Sequence, residues 1–214
     1  KARLEDATIT GSGPVTVKAE DISKIIATAA AAAFAAGGSP SSSIEVSGGG
    51  AFAFNTIATD VLATILDSTV NVTGGVTVEV HSKRDIDATI LAAAFSLAIS
   101  GSTGVAAGFG VAVAENIIKG VSADQSQVKA SVSSSDITSS GAIEVKALSE
   151  GTVDALVAAA AVAIGISGST GLALGGAGAG THNSINVATS ALIDGSTTDI
   201  VGGSVNVSAE DNSL

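Results

Sequence analysis

Few residues in this chain are of a type and spacing that could do chemistry. Asp60, Asp67, Asp194 and Asp199 are the best-placed oxygen donors for a hard cation such as calcium. Neither a Gly-Gly-x-Gly-x-Asp nonapeptide nor an EF-hand loop accompanies them, and they are scattered along the chain. They are read as solubilising surface charge, and no cofactor is expected. His81 and His182 are the only histidines, fall at different places in the repeat described below, and have no cysteine nearby with which to make a metal site. Both are expected to be ordinary surface or turn residues. The glycines of "GGAGAG" at 175–180 miss the dinucleotide-binding spacing, and no Lys-Ser/Thr follows as a phosphate loop requires. No Gly-x-Ser-x-Gly nucleophile elbow occurs. Catalysis is therefore not expected.

A different set of polar residues recurs in register. Asn55, Asn116 and Asn183 each precede an Ala-x-apolar motif, and equivalent asparagines in a stacked array can hydrogen-bond to one another as a ladder. This role is structural. Asn71-Val72-Thr73 and Asn206-Val207-Ser208 match the N-glycosylation pattern, a short motif that also arises by chance.

The elements that would position these residues are written as repeats. "VTVKAED" at 15–21 returns as "VTVEVHS" at 76–82, "IEVKALS" at 143–149 and "VNVSAED" at 205–211, so the period is 61 to 67 residues. A second anchor lies upstream in "ARLEDATI", "ATILDSTV", "ASVSSSDI" and "ALIDGSTTDI". The array divides into the end of a preceding repeat (1–14), three repeats (15–75, 76–142 and 143–204) and the start of a following one (205–214). "KGVSADQSQV" lengthens the middle copy by about six residues, assigned to a surface loop. The chain opens without a signal peptide, and neighbouring repeats are expected on both sides.

Two-residue alternation, as in Val76-x-Val78-x-Val80, describes strands, punctuated by turns at Gly74-Gly75, Gly141 and Gly202-Gly203. The Ala-rich runs are ambiguous. Propensity favours helix, with Leu156, Ala160 and Ile164 on one helical face. Parity favours strand, since one parity from Val153 to Ile166 is mostly Ala and Gly, and "GSTG" then leads into a Gly-rich partner as a hairpin turn would. The expected fold is all-β: a repetitive β-solenoid or stacked long β-hairpins. The alternative is an α+β repeat with Ala-rich helices on a sheet. With 2% aromatic residues and no Trp, Tyr, Met or Cys, the core must be thin, and glycines at strand positions would let two sheets approach closely. If each repeat formed about three coils at ~4.8 Å per layer, it would add on the order of 14 Å to a rod.

A net charge of −11 argues against nucleic acid and anionic membranes as partners. The apolar segment 155–180 is too rich in Ala, Gly and Ser to be read as a membrane span, so no membrane insertion is expected. The acidic exterior is expected to keep rods from adhering sideways.

The phrase A-x-I-x-x-S-x-V-x-x-x-G-x-V-x-V from Ala63 to Val78, the Ala/Gly alternation and the N-x-I motifs at Asn55–Ile57 and Asn183–Ile185 together resemble the repetitive passenger regions of very large bacterial surface proteins. These are the filamentous-haemagglutinin-like and leukotoxin-type filamentous adhesins. The resemblance covers essentially the whole chain. It implies a secreted, extracellular β-solenoid at the bacterial cell surface that forms a stalk or filament and carries an adhesive tip. It transfers no catalytic or ligand residue. The partners implied are neighbouring repeats of the same chain or identical subunits, with host or surface glycans as partners if the array is instead a binding module.

Overall fold

The computed structural model describes residues 1–121, 125–200 and 203–214, with the backbone alone at 198–200. Its described residues form fifteen strands and no helix. Four strands make one turn of the chain. The first turn comprises β1 (Ala2–Glu5), β2 (Thr8–Gly11), β3 (Val15–Ser39) and β4 (Ser42–Ala58). The second comprises β5 (Val61–Leu66), β6 (Thr69–Val72), β7 (Val76–Ser100) and β8 (Thr103–Lys119). The third comprises β9 (Ser126–Ser133), β10 (Asp136–Ser139), β11 (Ile143–Ser167) and β12 (Thr170–Ile185). A fourth turn supplies β13 (Val187–Asp194), β14 (Thr197–Ile200) and β15 (Val205–Ser213).

Every hydrogen-bonded strand pair is parallel and joins one turn to the next, giving four sheets in the orders β1-β5-β9-β13, β2-β6-β10-β14, β3-β7-β11-β15 and β4-β8-β12. The pairing is in register over whole strands. All of β3 pairs with β7 from Val15↔Val76 to Ser39↔Ser100, and β7 pairs with β11 from Val76↔Ile143. These are the residues that the repeated phrases align. The offset changes from 61 residues at Ala58↔Lys119 to 67 at Val61↔Val128, so the six extra residues enter between these two pairs. Val121 in this insertion is exposed, and 122–124 lie outside the described residues.

The architecture is a β-solenoid, with two corrections to the sequence reading. One repeat makes one coil, not three, so it adds only ~4.8 Å along the axis. The 25-residue strands β3, β7 and β11 instead spend the length sideways, each about 80 Å at ~3.3 Å per residue. In addition, the turns at Ser39–Ser42, Ser100–Thr103 and Ser167–Thr170 do not close hairpins. The strands they join lie in different sheets and face each other through side chains, while each bonds to its copies above and below. The parity signal was sound, but a turn motif does not encode which strand its arms pair with.

Each coil has two parts. In the first, the two short strands and the beginning of the long one enclose a closed prism around Ala63, Ile65, Val70, Val76, Val78 and Val80, all buried, as are their equivalents in the third coil, while most of those in the terminal coils are partly buried or exposed. In the second, the distal half of the long strand faces β4, β8 or β12 across a thin blade. The blade interior is small: Ala92, Ala94, Ala98, Ala112 and Ala114 are buried, and Ile57, Ile86 and Ile118 close its base. Its thinness fixes particular glycines. A Cβ at Gly110 would sit 2.5 Å from the Ala160 carbonyl oxygen, and one at Gly49 would sit 2.4 Å from that of Ala93. Backbone cannot yield as a flexible side chain can, so Gly110→Val is expected to lower stability by at least the ~1–3 kcal/mol typical of overpacking, seen as a lower chemical-denaturation midpoint by circular dichroism. An unchanged midpoint would show that the two sheets can separate freely.

Candidate functional site: ladders inside the stack and faces outside it

Because equivalent residues stack at one coil spacing, a polar residue inside the solenoid meets its own kind. Asn55, Asn116 and Asn183 pair in register in β4, β8 and β12. Asn55 donates its Nδ2 hydrogen to Asn116 Oδ1 at 2.8 Å, and Asn116 Nδ2 donates to Asn183 Oδ1 at 2.8 Å. Asn116 is fully buried and Asn55 nearly so, so each amide exchanges water for the adjacent amide.

A second ladder was missed by sequence reasoning. Ser68 and Ser135 accept hydrogen bonds from the backbone amides of Ala7 and Ser68 at 3.1 Å, and Ser196 accepts one from Ser135 at 3.0 Å. Each hydroxyl donates to the carbonyl two residues back, at Leu66, Ser133 and Asp194. The residue before each serine turns the corner with positive φ: Asp67 at 47°, Ser134 at 48° and Gly195 at 56°, as does Asp6 at 50° before Ala7. The sequence signal was the recurrent "DS", "SS" and "GS" inside the second anchor.

Arg84 is the other residue not singled out in advance, although its parity with Val76, Val78, Val80 and Ile86 places it on the inward face. It is fully buried. Nη1 donates to Ser126 Oγ and Nη2 to Ser149 Oγ, each at 2.7 Å, while buried Nε has no hydrogen-bond partner. Burial lowers its pKa from the ordinary value, and the carboxylates of Asp21 and Asp211 raise it in partial compensation.

The residues proposed for cation chemistry do not converge. Asp60 is spent on the backbone: Oδ1 accepts from the Gln127 amide at 3.0 Å and Oδ2 from that of Val121 at 3.4 Å, tying down the base of the inserted loop. Asp67 is itself a positive-φ corner residue, and Asp194 lies two coils away, at the end of β13 just before the equivalent corner at Gly195. The side chain of Asp199 lies outside the described residues. Among the described residues no three His, Asp or Glu side chains group as a metal site. His81 has acidic companions that its sequence neighbourhood did not show, Glu150 at 3.1 Å and Glu20 at 3.6 Å from the adjacent coils. His182 is exposed on β12 opposite Glu115, and the 175–180 glycines are strand residues paired with β8. Asn71 and Asn206 are exposed.

The outer faces divide sharply. Along the prism, charge dominates, with Lys18, Glu79 and Lys146 stacked in alternating sign. Beyond Asp87 and Asp154 it stops. The outward residues of β7 from Thr89 to Ile99, of β3 from Thr28 to Gly38 and of β11 from Leu156 to Ile166 include no charged group, and neither do those of β4 from Ile44 to Phe54. Phe34 is 70% exposed and Leu156 63%. Charge, of both signs, is thus concentrated on the prism, and the expectation of an acidic exterior fails for the outer face of the β3-β7-β11 blade. Comparison with known proteins finds no family model, no curated protein and no solved structure that matches this chain.

Two substitutions test the interior. Asn116→Asp keeps the acceptor for Asn55 but opposes a carboxylate to Asn183 Oδ1, so it is expected to destabilise by about 1–3 kcal/mol at neutral pH. The neutral acid can donate to Asn183. Its folded-state pKa is then raised, and the deficit shrinks as pH falls through that pKa and grows as pH rises. Urea titrations at pH 4 and pH 7, roughly either side of the carboxylate range, read this out; a deficit independent of pH would disprove the ladder's contribution. Arg84→Met replaces a buried guanidinium lacking an ion-pair contact by apolar volume. It is expected to leave the denaturation midpoint unchanged or raise it, and a loss above ~2 kcal/mol would instead assign Arg84 a net stabilising role.

Proposed function

We propose that the chain is a structural repeat segment of a secreted bacterial cell-surface adhesin, forming part of a stalk or fibre by the stacking of coils. The observation that carries this reading is the in-register parallel pairing of each strand with its copy one coil away in every sheet, which makes the fold grow along one axis. The composition of the paired columns supports it: the asparagine column and the corner serines are spent on coil-to-coil bonds rather than on a pocket. The geometry also sets the scale. At ~4.8 Å per coil, a hundred repeats would reach roughly 480 Å, a third of the reach that three coils per repeat would give. The segment therefore contributes breadth and stiffness more than length.

A binding module is the second reading, favoured by the flat, uncharged blade faces. The five phenylalanines are the chain's entire aromatic complement, which leaves few platforms for sugar stacking. Two measurements separate the readings. Antibody raised against the chain is expected to label intact producing cells from outside; labelling only after permeabilisation would refute the surface assignment. The purified chain is expected to show no saturable binding on a glycan array or to cultured cells, and saturable, competable binding would establish the module instead.

A further inference from the structure

We infer that the outer face of the β3-β7-β11 blade is a pairing surface for a second copy of this chain, joined face to face by interdigitation of a phenylalanine ridge with an alanine trough. This lateral contact is distinct from axial stacking and does not depend on the adhesin reading.

The sequence pattern is the first support. In the prism half of β7 charged and apolar residues alternate, as in a sheet with one wet face. In the blade half of β3, β7 and β11 both parities are apolar, the pattern of strands buried on both faces. The inner face is covered by β4, β8 and β12. The outer face has no cover among the described residues, although it carries the larger side chains.

Shape is the second support. In-register pairing sorts the outer face into columns, of one size at Ala32, Ala93 and Ala160 and mixed at Ala30, Leu91 and Ala158. Phe34, Phe95 and Val162 form a ridge, with the Phe34 and Phe95 rings stacked at 5.3 Å and 2° between planes. Beside it runs a trough of about 510 Å³ lined by Ala30, Ala32, Leu91, Ala93, Ala158 and Ala160. Ridge and trough are parallel and adjacent, so a two-fold axis through the face sets each copy's ridge into the other's trough, an isologous contact.

Area is the third. Eleven residues of strand at ~3.3 Å and three coils at ~4.8 Å give a face of roughly 500 Å². The pair would bury about 1,000 Å² in total, the threshold for a specific interface, and a face of roughly 500 Å² falls in the size range of the largest exposed patch of a monomer, which is often an interaction site. A lipid surface fits less well. The chain has no Trp or Tyr to form an interfacial girdle.

Sedimentation velocity of the 214-residue chain tests this. The expected result is a monomer–dimer equilibrium in the micromolar range. Phe95→Lys and, separately, Ala93→Trp, which fills the trough, are each expected to weaken it at least tenfold, with far-UV circular dichroism and melting temperature unchanged. Thr77→Lys, on the prism part of the same strand, is expected to leave it intact. A chain that stays monomeric throughout, or an association indifferent to both blade substitutions and hence made through the open sheet ends, would overturn the proposal. So would a monomer that binds phosphatidylcholine vesicles through Phe95, which would assign the face to lipid.

Discussion

The register of the backbone ladder governs everything else in this molecule. Each strand bonds to its copy one coil away, residue for residue, so every side chain is placed against the same position of its neighbours. A position must therefore tolerate itself. Valine on valine and alanine on alanine satisfy this by packing. Asparagine satisfies it because one amide carries both a donor and an acceptor. Serine at the corner does so by accepting from one coil while donating within its own. One charged column satisfies it by alternating sign, as Lys18, Glu79 and Lys146 do, whereas Asp87 and Asp154 stack as like charges where they face solvent. Arg84 is the departure: its equivalents are Ser23, Gly151 and Ser213, so the guanidinium is unique in its column and finds its hydrogen bonds in Ser126 and Ser149.

The same rule separates the two parts of a coil. The prism buries Val and Ile at full size and resembles an ordinary core. Apart from Ile90, the blade buries mainly alanine, glycine and serine, whose apolar surface is small, so its interior contributes less per residue at the ~25 cal/mol per Å² of hydrophobic burial. What holds the blade is the unbroken ladder of backbone bonds and close dispersion contact between the two sheets, which is why a Cβ at Gly49 or Gly110 has nowhere to go. Its large apolar residues face outward, the inverse of the prism.

Much of this was legible in the residues. The period, the strand assignment of the Ala-rich runs and the place of the six-residue insertion all follow from aligned phrases and parity, because in-register stacking writes its geometry directly into sequence spacing. The asparagine positions were visible for the same reason. Other features were hidden for physical causes. Polar turns such as "SGST" look alike whether their arms pair with each other or with other coils, so arches were taken for hairpins. Coil size is set by where the chain first returns beneath itself, which local patterns do not report. Net charge is a sum, and a sum of −11 does not reveal that the outer face of the β3-β7-β11 blade holds none of it.

That distribution of charge constrains how such molecules could meet. The prism presents mixed charges, with His81 held between Glu20 and Glu150, and is well hydrated. Two prisms brought together would set like net charges against each other at short range and gain little in return. The blade lacks both the charge and the hydration. Contact between copies is thus disfavoured at one end of the coil and left open at the other by the same sequence, and the boundary falls within a single strand, between Asp87 and Leu91 of β7. A fold that grows by repeating one coil repeats this boundary with it, so the two properties run as parallel stripes along the stack, and the area available for lateral contact rises with each coil added.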